Sequence, residues 1–309
     1  MKKCRTTERI EKKPAPVMSE NPNGNPRTNQ LSEKIDLAVC YRIYPGVSGE
    51  PVFGFKDKLS LVRLNLESFR ESLGNLKIKM WVLLDNCPPA YAELLKRIFP
   101  DTPMELIPLA GEGNGRTFAR QIDILAAQTE ADLVYFAEDD YLYLPCGLEC
   151  AVKFMRRHPL VDFVTLYDHA DNYTKYIHRF HGREFVEDDH RWRTLASTCL
   201  TFMARRDALL ESIGVFTTYP GNSDLGIWLA LTKKRVANPW SWLRSLGDGL
   251  FCAASHALAW RYAWRQIVFG KRRTLWVPAP SLATHMEICG LAPGVDWEKI
   301  FAARSASPP

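Results

Sequence analysis

The chain has 309 residues, 46% hydrophobic and 24% charged, the proportions of a globular protein large enough for one big domain or two small ones. Its net charge of +5 is uneven: residues 239–276 hold six basic side chains against one acidic, the first 34 hold eight against four, and the remaining body is mildly acidic. No apolar run approaches the roughly 20 residues that span a bilayer. No apolar stretch follows the basic N-terminus, which argues against a secretory signal, and an acidic body with one short basic run argues against a nucleic-acid partner.

Residues 1–34 are rich in Lys, Asn, Pro and Glu with few apolar side chains, and read as a disordered basic arm. From Ile35 the pattern alternates. A buried strand is predicted over 35–44. Leu59, Val62, Leu66, Phe69 and Leu73 then recur at helical spacing, with Gly74 as a stop. A strand over 78–84 ends at Asp85. A short helix carries Tyr91, Leu94, Leu95 and Ile98, and a strand follows over Met104–Leu109. The glycine-rich turn 111–115 leads into a helix with Phe118, Ile122, Leu125 and Ala126 on one face. A strand over 133–136 then runs into Glu138, Asp139 and Asp140. Strands and helices alternating at this spacing predict an α/β fold with a doubly wound, mostly parallel sheet.

The second half is less regular. Helices are predicted around Leu148, Val152 and Met155, over 206–213 with Gly214 as a stop, and over 224–234 with Leu225, Trp228, Leu229 and Thr232 inward; strands are predicted over 161–166, 195–203 and 275–277. No internal repeat is visible. The eight cysteines include no CxxC pair, and Cys146 and Cys150, half the spacing of a zinc site, have no second pair to answer them. The cysteines read as small buried hydrophobes in a reducing cytoplasm.

The acidic triplet is the most informative stretch. Ligands of open α/β sheets bind outside the carboxyl ends of the strands, and carboxylates there can hold a hard divalent cation that in turn holds a diphosphate. On an extended strand Glu138 and Asp140 would share a face. The competing reading is a solvated acidic loop.

With these elements in order, the chain resembles nucleotide-sugar glycosyltransferases of GT-A (Rossmann-like) fold, in the family 2-like group. The match is carried by Asn114-Gly115 with Arg120 on the helix before the acidic strand, by Glu138-Asp139-Asp140, similar to a DXD motif, and by Arg205-Arg206-Asp207 through Ser223-Asp224-Leu225-Gly226-Ile227-Trp228. It covers about 35–235, with a return over 281–297, and divides the chain into a nucleotide-sugar-binding half (35–145), an acceptor half (146–238), an amphipathic helical insertion (239–276) and a C-terminal segment (277–309). The triplet opens with Glu, and the usual Glu-Asp pair reads Ser223-Asp224.

The resemblance implies transfer of a sugar from a nucleotide-diphosphate donor to a glycan or lipid-linked hydroxyl, with manganese or magnesium as cofactor. It implies Asp140, Glu138 and His285 as metal ligands, and Glu138 and Asp139 also near the ribose. Tyr41, Arg42, Asp85, Asn114, Arg116 and Arg120 are implied for the donor, and Asp224 as general base. A helix N-terminus would favour ionised Asp224; the plainer reading is a cap for that helix. One base without a partner carboxylate fits an inverting displacement and not a glycosidase. The alternatives are a sugar nucleotidyltransferase and an inactive scaffold of the same fold.

Two further stretches carry expectations. His178, His181, Asp188, Asp189 and His190 read as a mobile loop over the acceptor, with a metal site as the rival. Residues 239–276 hold five of the nine tryptophans, and Ala253, Ala257, Trp260, Trp264 and Ile267 fall on one helical face beside Arg261 and Arg265. Such a helix suits an anionic lipid interface, which implies a peripheral protein of the inner membrane face engaged in bacterial surface polysaccharide synthesis; the rival is a packed hairpin or dimer contact.

Overall fold

The first half folds as its periodicity dictates. β1 (Leu37–Ile43), α1 (Lys58–Ser72), β2 (Ile78–Asp85), α2 (Pro89–Ile98), β3 (Met104–Leu109), α3 (Asn114–Ala127) and β4 (Leu133–Glu138) follow in strict alternation. The computed structural model describes residues 34–47, 52–54 and 57–305. The arm expected over 1–34 therefore lies, Lys34 apart, outside the described residues. Every residue of β1 is buried, as in a parallel strand covered on both faces. Asp57 caps α1, accepting from Ser60 N at 2.8 Å, and Gly74 with φ 53° follows its end.

The second half contributes β5 (Tyr141–Tyr143), α4 (Gly147–Arg157), β6 (Phe163–Val164), the single turn α5 (Asp171–Thr174), β7 (Glu184–Glu187), β8 (His190–Thr194) and β9 (Phe202–Arg205). α6 (Arg206–Phe216), α7 (Asp224–Thr232), α8 (Pro239–Ser245), α9 (Leu250–Phe269), β10 (Leu275–Ala279), β11 (Ala283–His285) and α10 (Trp297–Ser305) complete it. The large sheet has the order β3-β2-β1-β4-β9-β6-β10-β8-β7, and β11 pairs with β5 in a two-stranded ribbon. The pairings β1–β2, β2–β3, β1–β4 and β6–β10 are parallel. Those of β9 and β8 with their neighbours are antiparallel. Only those two strands run against the rest, so the sheet is mostly parallel.

Strand alternation splits the core in two. Leu37, Val39, Tyr41 and Ile43 pack with α1, α2 and α4 on one face. Ala38 and Cys40 pack with α3, α6, α7 and α9 on the other. Helices on both faces are what a doubly wound sheet requires.

Several expectations of the second half need correction. The strand over 195–203 begins only at Phe202, because Thr198 and Thr201 turn their hydroxyls to Thr165 and Glu138. The strand over 161–166 keeps two residues. Gly214 does not stop α6: Val215 and Phe216 are buried beyond it, and their burial outweighs the roughly 1 kcal/mol that an internal glycine costs. The supposed lid is a β7–β8 hairpin, turned by Asp188 and Asp189 at φ 49° and 62°. Of the described cysteines, all free, only Cys40 and Cys252 are buried.

The largest revision concerns the Trp-rich segment. α9 buries Cys252, Ser255, His256, Ala259, Ala263 and Ile267, leaving Ala257 and Trp264 exposed. The small residues allow α9 to lie close on α7, which is buried at every position from Leu225 to Thr232. The segment also ends early, since Trp276 is a fully buried residue of β10.

Two tryptophans give a direct test in denaturant unfolding. Trp228→Ala should lower stability by about 3–5 kcal/mol, because it empties a core site. Trp264→Ala should stay within about 0.5 kcal/mol of wild type. Equal losses would mean that the outer face of α9 is also packed.

Candidate functional site

A cavity of about 470 Å³ opens at the carboxyl ends of β1, β2 and β4, lined among others by Arg42, Lys58, Asp85, Asn114, Asp139 and Asp140. The sheet register builds its centre. Arg42 stands directly opposite Glu138 across the β1–β4 pairing, and the two form a salt bridge through Arg42 Nη2 and Glu138 Oε1. The other Glu138 oxygen accepts from Thr201 Oγ1 at 2.7 Å. Arg42 Nη1 donates to the Asn114 carbonyl at 2.9 Å, to the Asn114 side chain and to Thr117 Oγ1 at 3.3 Å. One guanidinium thus ties together the end of β1, the end of β4 and the first turn of α3. Gln121, donating to the carbonyls of Cys40 and Ala137 at 2.7 and 3.1 Å, latches α3 to the same strand ends.

The three acids of the triplet do three different things. β4 ends at Glu138, so Glu138 and Asp140 do not share a strand face as an extended run would have them. Each Glu138 oxygen already has a partner within the protein, Arg42 on Oε1 and Thr201 on Oε2. Asp139 is buried and accepts from Lys58 Nζ at 2.8 Å and Tyr44 N at 2.8 Å. Burial pushes its carboxyl upward, against the pull of Lys58 and with the charge of Asp140 adding to the rise. Asp140 Oδ2 lies 3.2 Å from His285 Nε2, while Asp140 Oδ1 is buried without a hydrogen-bond partner. The β5–β11 ribbon makes that meeting, since His285 pairs with Tyr141 and Met286 N donates to the Asp140 carbonyl at 2.8 Å.

Burial works to raise the Asp140 carboxyl, but the His285 imidazole, with Lys58 and Arg42 beyond it, holds it below the usual range. Burial works to lower His285, and Asp140 overrides it, so the imidazole sits above its ordinary value.

The remaining donor-side candidates separate clearly. Both Asp85 oxygens are used: Oδ1 accepts from Gly111 N at 2.9 Å and Glu112 N at 2.7 Å, and Oδ2 from Gly113 N at 2.8 Å. Gly111 and Gly113, at φ 84° and 79°, supply the backbone that aims these amides inward. A protein carboxylate therefore fills the amide nest that a phosphate would otherwise seek. Asn114 reaches Tyr219 Oη at 3.0 Å. Tyr41 points to the opposite face from Arg42, fully buried with its ring 5.3 Å from Phe69, and offers no surface to a ligand. Arg116 and Arg120 share the solvent face of α3 outside the cavity lining. Arg120 is bound by Glu112, with Nε at 2.6 Å.

Asp224 lies in an adjoining cavity of about 170 Å³, with His169, Asp171, Lys175, His178 and Cys199 among its lining. Ser223 caps α7, its Oγ accepting from the Gly226 amide at 2.9 Å, while Asp224 Oδ1 accepts from Leu225 N at 2.6 Å. Burial and the charge of Glu138 raise the Asp224 carboxyl above its ordinary value. The helix N-terminus does not hold it low, as the sequence suggests. The chain between β8 and β9 joins the two cavities: Ser197, Thr198 and Cys199 line the second, and Thr201 holds Glu138 of the first. Of the His/Asp run, His178 lines this second cavity, and Asp188 pairs with Arg157 at 2.5 Å in the hairpin. Among the described residues no three His, Cys, Asp or Glu side chains form a ready metal-ligand set.

Lys58, Thr201 and Tyr219 are the residues that sequence reasoning missed. A buried lysine at the first position of a helix has no local signature, and Thr201 acts from within what reads as a plain strand.

No family model and no curated protein matches the chain. Among solved structures, it is similar to S. aureus TarS in complex with UDP-GlcNAc at 13% identity, covering 58% of this chain and 47% of that one, with a TM-score of 0.37. It thus spans about half of that structure. It is similar to the mannosyltransferase PcManGT from Pyrobaculum calidifontis in complex with GDP-Man and Mn2+ at 15% identity, covering 74% and 70%, with a TM-score of 0.44. It is also similar to a CMP:2-keto-3-deoxy-manno-octonic acid synthetase complexed with CTP at 14% identity, covering 87% and 98%, with a TM-score of 0.40. The overlaps are partial at such scores and assign no residue of this chain a role.

The Asp140–His285 contact should be visible in pH-dependent stability. A raised histidine stabilises fully below its unfolded value, near 6.5, and loses this as pH climbs through the folded value. A lowered aspartate stabilises above about 3.9 and loses this on acidification. Wild type should therefore exceed His285→Gln most between about pH 4 and 6.5, with the gap closing in alkali. A gap that stays constant from about pH 4 well into the alkaline range would show that the pair is not ionised.

Proposed function

We propose that the protein is a glycosyltransferase of GT-A type, moving a sugar from a nucleotide-diphosphate donor to a hydroxyl acceptor with inversion. The supporting observation is the pairing of two cavities at the carboxyl ends of the strands. One is lined by the acidic triplet with Lys58 and Arg42; the other holds a half-buried carboxylate, Asp224, on the first turn of a helix. The first is large enough for a nucleotide diphosphate sugar's polar core, by the usual scale of ligand pockets. The donor's base and ribose are assigned to the stretch between Tyr44, Asn86 and Asn114, with Arg42 and Asp85 shaping the walls.

A divalent cation, manganese or magnesium, fits Asp140 and His285. Asp140 keeps a buried oxygen with no partner, and the imidazole stands beside it. Such an ion supplies charge neutralisation for the departing diphosphate. Lys58 and Arg42 offset the charges of Asp139 and Glu138, leaving Asp140 as the carboxylate open to a ligand. Asp224, its carboxyl raised by burial, removes the proton of the acceptor hydroxyl as that oxygen attacks the anomeric carbon.

The exposed outer surface of α8 and α9 suits an acceptor presented at an anionic membrane, as in bacterial surface polysaccharide synthesis. Trp240 is 72% exposed and Phe269 78%, with Arg244, Arg261 and Arg265 on the same helices. No described helix is long and apolar enough to cross a membrane, so contact would be peripheral.

A panel of nucleotide sugars with and without manganese tests the reading. One nucleotide should raise the melting temperature and give slow donor hydrolysis, and Asp140→Asn should weaken its binding at least about tenfold, the loss of one charge-assisted contact. Asp224→Asn should abolish transfer while donor affinity stays within a few-fold. Normal turnover by that variant would remove Asp224 from the mechanism, and pyrophosphate-dependent exchange would indicate a nucleotidyltransferase instead. Flotation with anionic liposomes addresses the membrane: retention should drop in Trp240→Ala/Phe269→Ala, and wild type remaining at the bottom would favour a soluble acceptor.

A further inference from the structure

A third cavity, of about 430 Å³, lies at the amino end of β10, where Thr274 and Leu275 line it together with Arg183, Thr194, Lys234 and Arg272. β10 runs in the same direction as β1 and β4, so this cavity sits at the end of the sheet opposite the donor cavity. Its lining contains no acidic side chain. Arg273, also in the lining, is neutralised by Asp162 at 3.0 Å and by Glu211. For Arg183, Lys234 and Arg272 there is no carboxylate within ion-pair distance among the described residues.

These three cations are held in place by neutral groups. The Arg183 guanidinium lies 5.5 Å from the Trp276 ring centre, and Lys234 Nζ lies 4.0 Å from that of Phe180. Arg272 Nε donates to the Thr232 carbonyl at 3.0 Å. Arg183 N and the Thr194 hydroxyl meet at 3.0 Å. A Cβ on Gly182 would come within 2.6 Å of that hydroxyl, so glycine permits the close approach. Burial and the charges of Arg272 and Arg183 push Lys234 down to about 8. Like charges gathered at one cavity repel unless an anion joins them.

We propose that this cavity binds a phosphate group, a phosphomonoester or phosphodiester gripped by Arg183, Lys234 and Arg272. Phosphate is favoured because it offers several oxygens and up to two charges to a cluster of three cations, and because guanidinium forks match its geometry. Two sources share this chemistry: a free or polymer-borne phosphate, and a phospholipid headgroup. The headgroup gains support from Phe269, which precedes Arg272 by three residues and is 78% exposed. The proposal does not depend on the sugar-transfer reading.

The test compares the full chain with Lys234→Gln/Arg272→Gln, and separately with Arg183→Gln, at low ionic strength. Inorganic phosphate is titrated by calorimetry, and phosphatidylcholine vesicles with and without phosphatidylglycerol are used in flotation. The double variant should lose phosphate affinity, or retention on the anionic vesicles, by at least about tenfold, while its nucleotide-induced thermal shift is unchanged. Binding of phosphate alone identifies a free or polymer-borne source, and retention on anionic vesicles alone identifies the headgroup. Wild type binding neither probe, or both variants binding as wild type does, overturns the proposal. Arg183 is exposed, so its variant keeps the test decisive should the double variant fail to fold.

Discussion

The site depends on the meeting of Arg42 and Glu138 across two parallel strands. Each is the first charged residue after an apolar run, and the register sets them opposite one another. Two ions of opposite sign at a strand end satisfy each other where neither could be buried alone. Breaking such a buried pair by removing one partner typically costs about 3–5 kcal/mol, because the survivor is left without a counterion. Here the pair also carries geometry. Arg42 fixes the first turn of α3 through Asn114 and Thr117, and Glu138 fixes the β8–β9 connection through Thr201. The wall between the two cavities is therefore tied together through this salt bridge.

Charge is distributed around that bridge in a definite order. Four carboxylates crowd the mouth of one cavity, and most are answered within the protein: Asp85 by three backbone amides, Glu138 by Arg42, Asp139 by Lys58. Asp140 alone keeps an unused buried oxygen, next to an imidazole. A ligand entering this cavity meets walls already balanced and one carboxylate with capacity to spare. Asp224 differs again. Among the described residues it has no ion-pair partner, and both its burial and the neighbouring Glu138 disfavour its charge, which is the condition that brings a carboxylate closer to the pH at which a base exchanges protons usefully.

The first four strands, their helices and the placing of the acidic triplet at a carboxyl end were legible in the sequence, because apolar runs and helical spacing repeat there without interruption. The assignment of each acid was not legible. Whether Asp85 faces a ligand or its own backbone depends on the conformation of Gly111–Gly113, and whether Glu138 or Asp140 is spare depends on residues from 60 to 150 positions away, namely Arg42, Thr201 and His285. The resemblance led to Tyr41 and Arg42 together, yet strand alternation alone separates them, since neighbours on a strand face opposite sides. The irregular region between β8 and β9 escaped for a related reason: its polar side chains are spent on tertiary hydrogen bonds that no local pattern announces.

The outer helices show how composition leaves the packed face undecided. Large aromatic residues at helical spacing suit a lipid interface, with a packed hairpin as the rival, and a helix that must lie close on the fully buried α7 needs small residues at the contact. Ala259, Ala263, Ser255 and Cys252 supply them, and Trp264 and Phe269 are turned outward as a consequence. The kink at Ala263, with φ −131°, falls among these small residues. The outer surface of α9, where Trp264 and Phe269 stand beside the exposed Arg261 and Arg265, does not suit pairing with a second copy of the same face, since like charges would oppose one another.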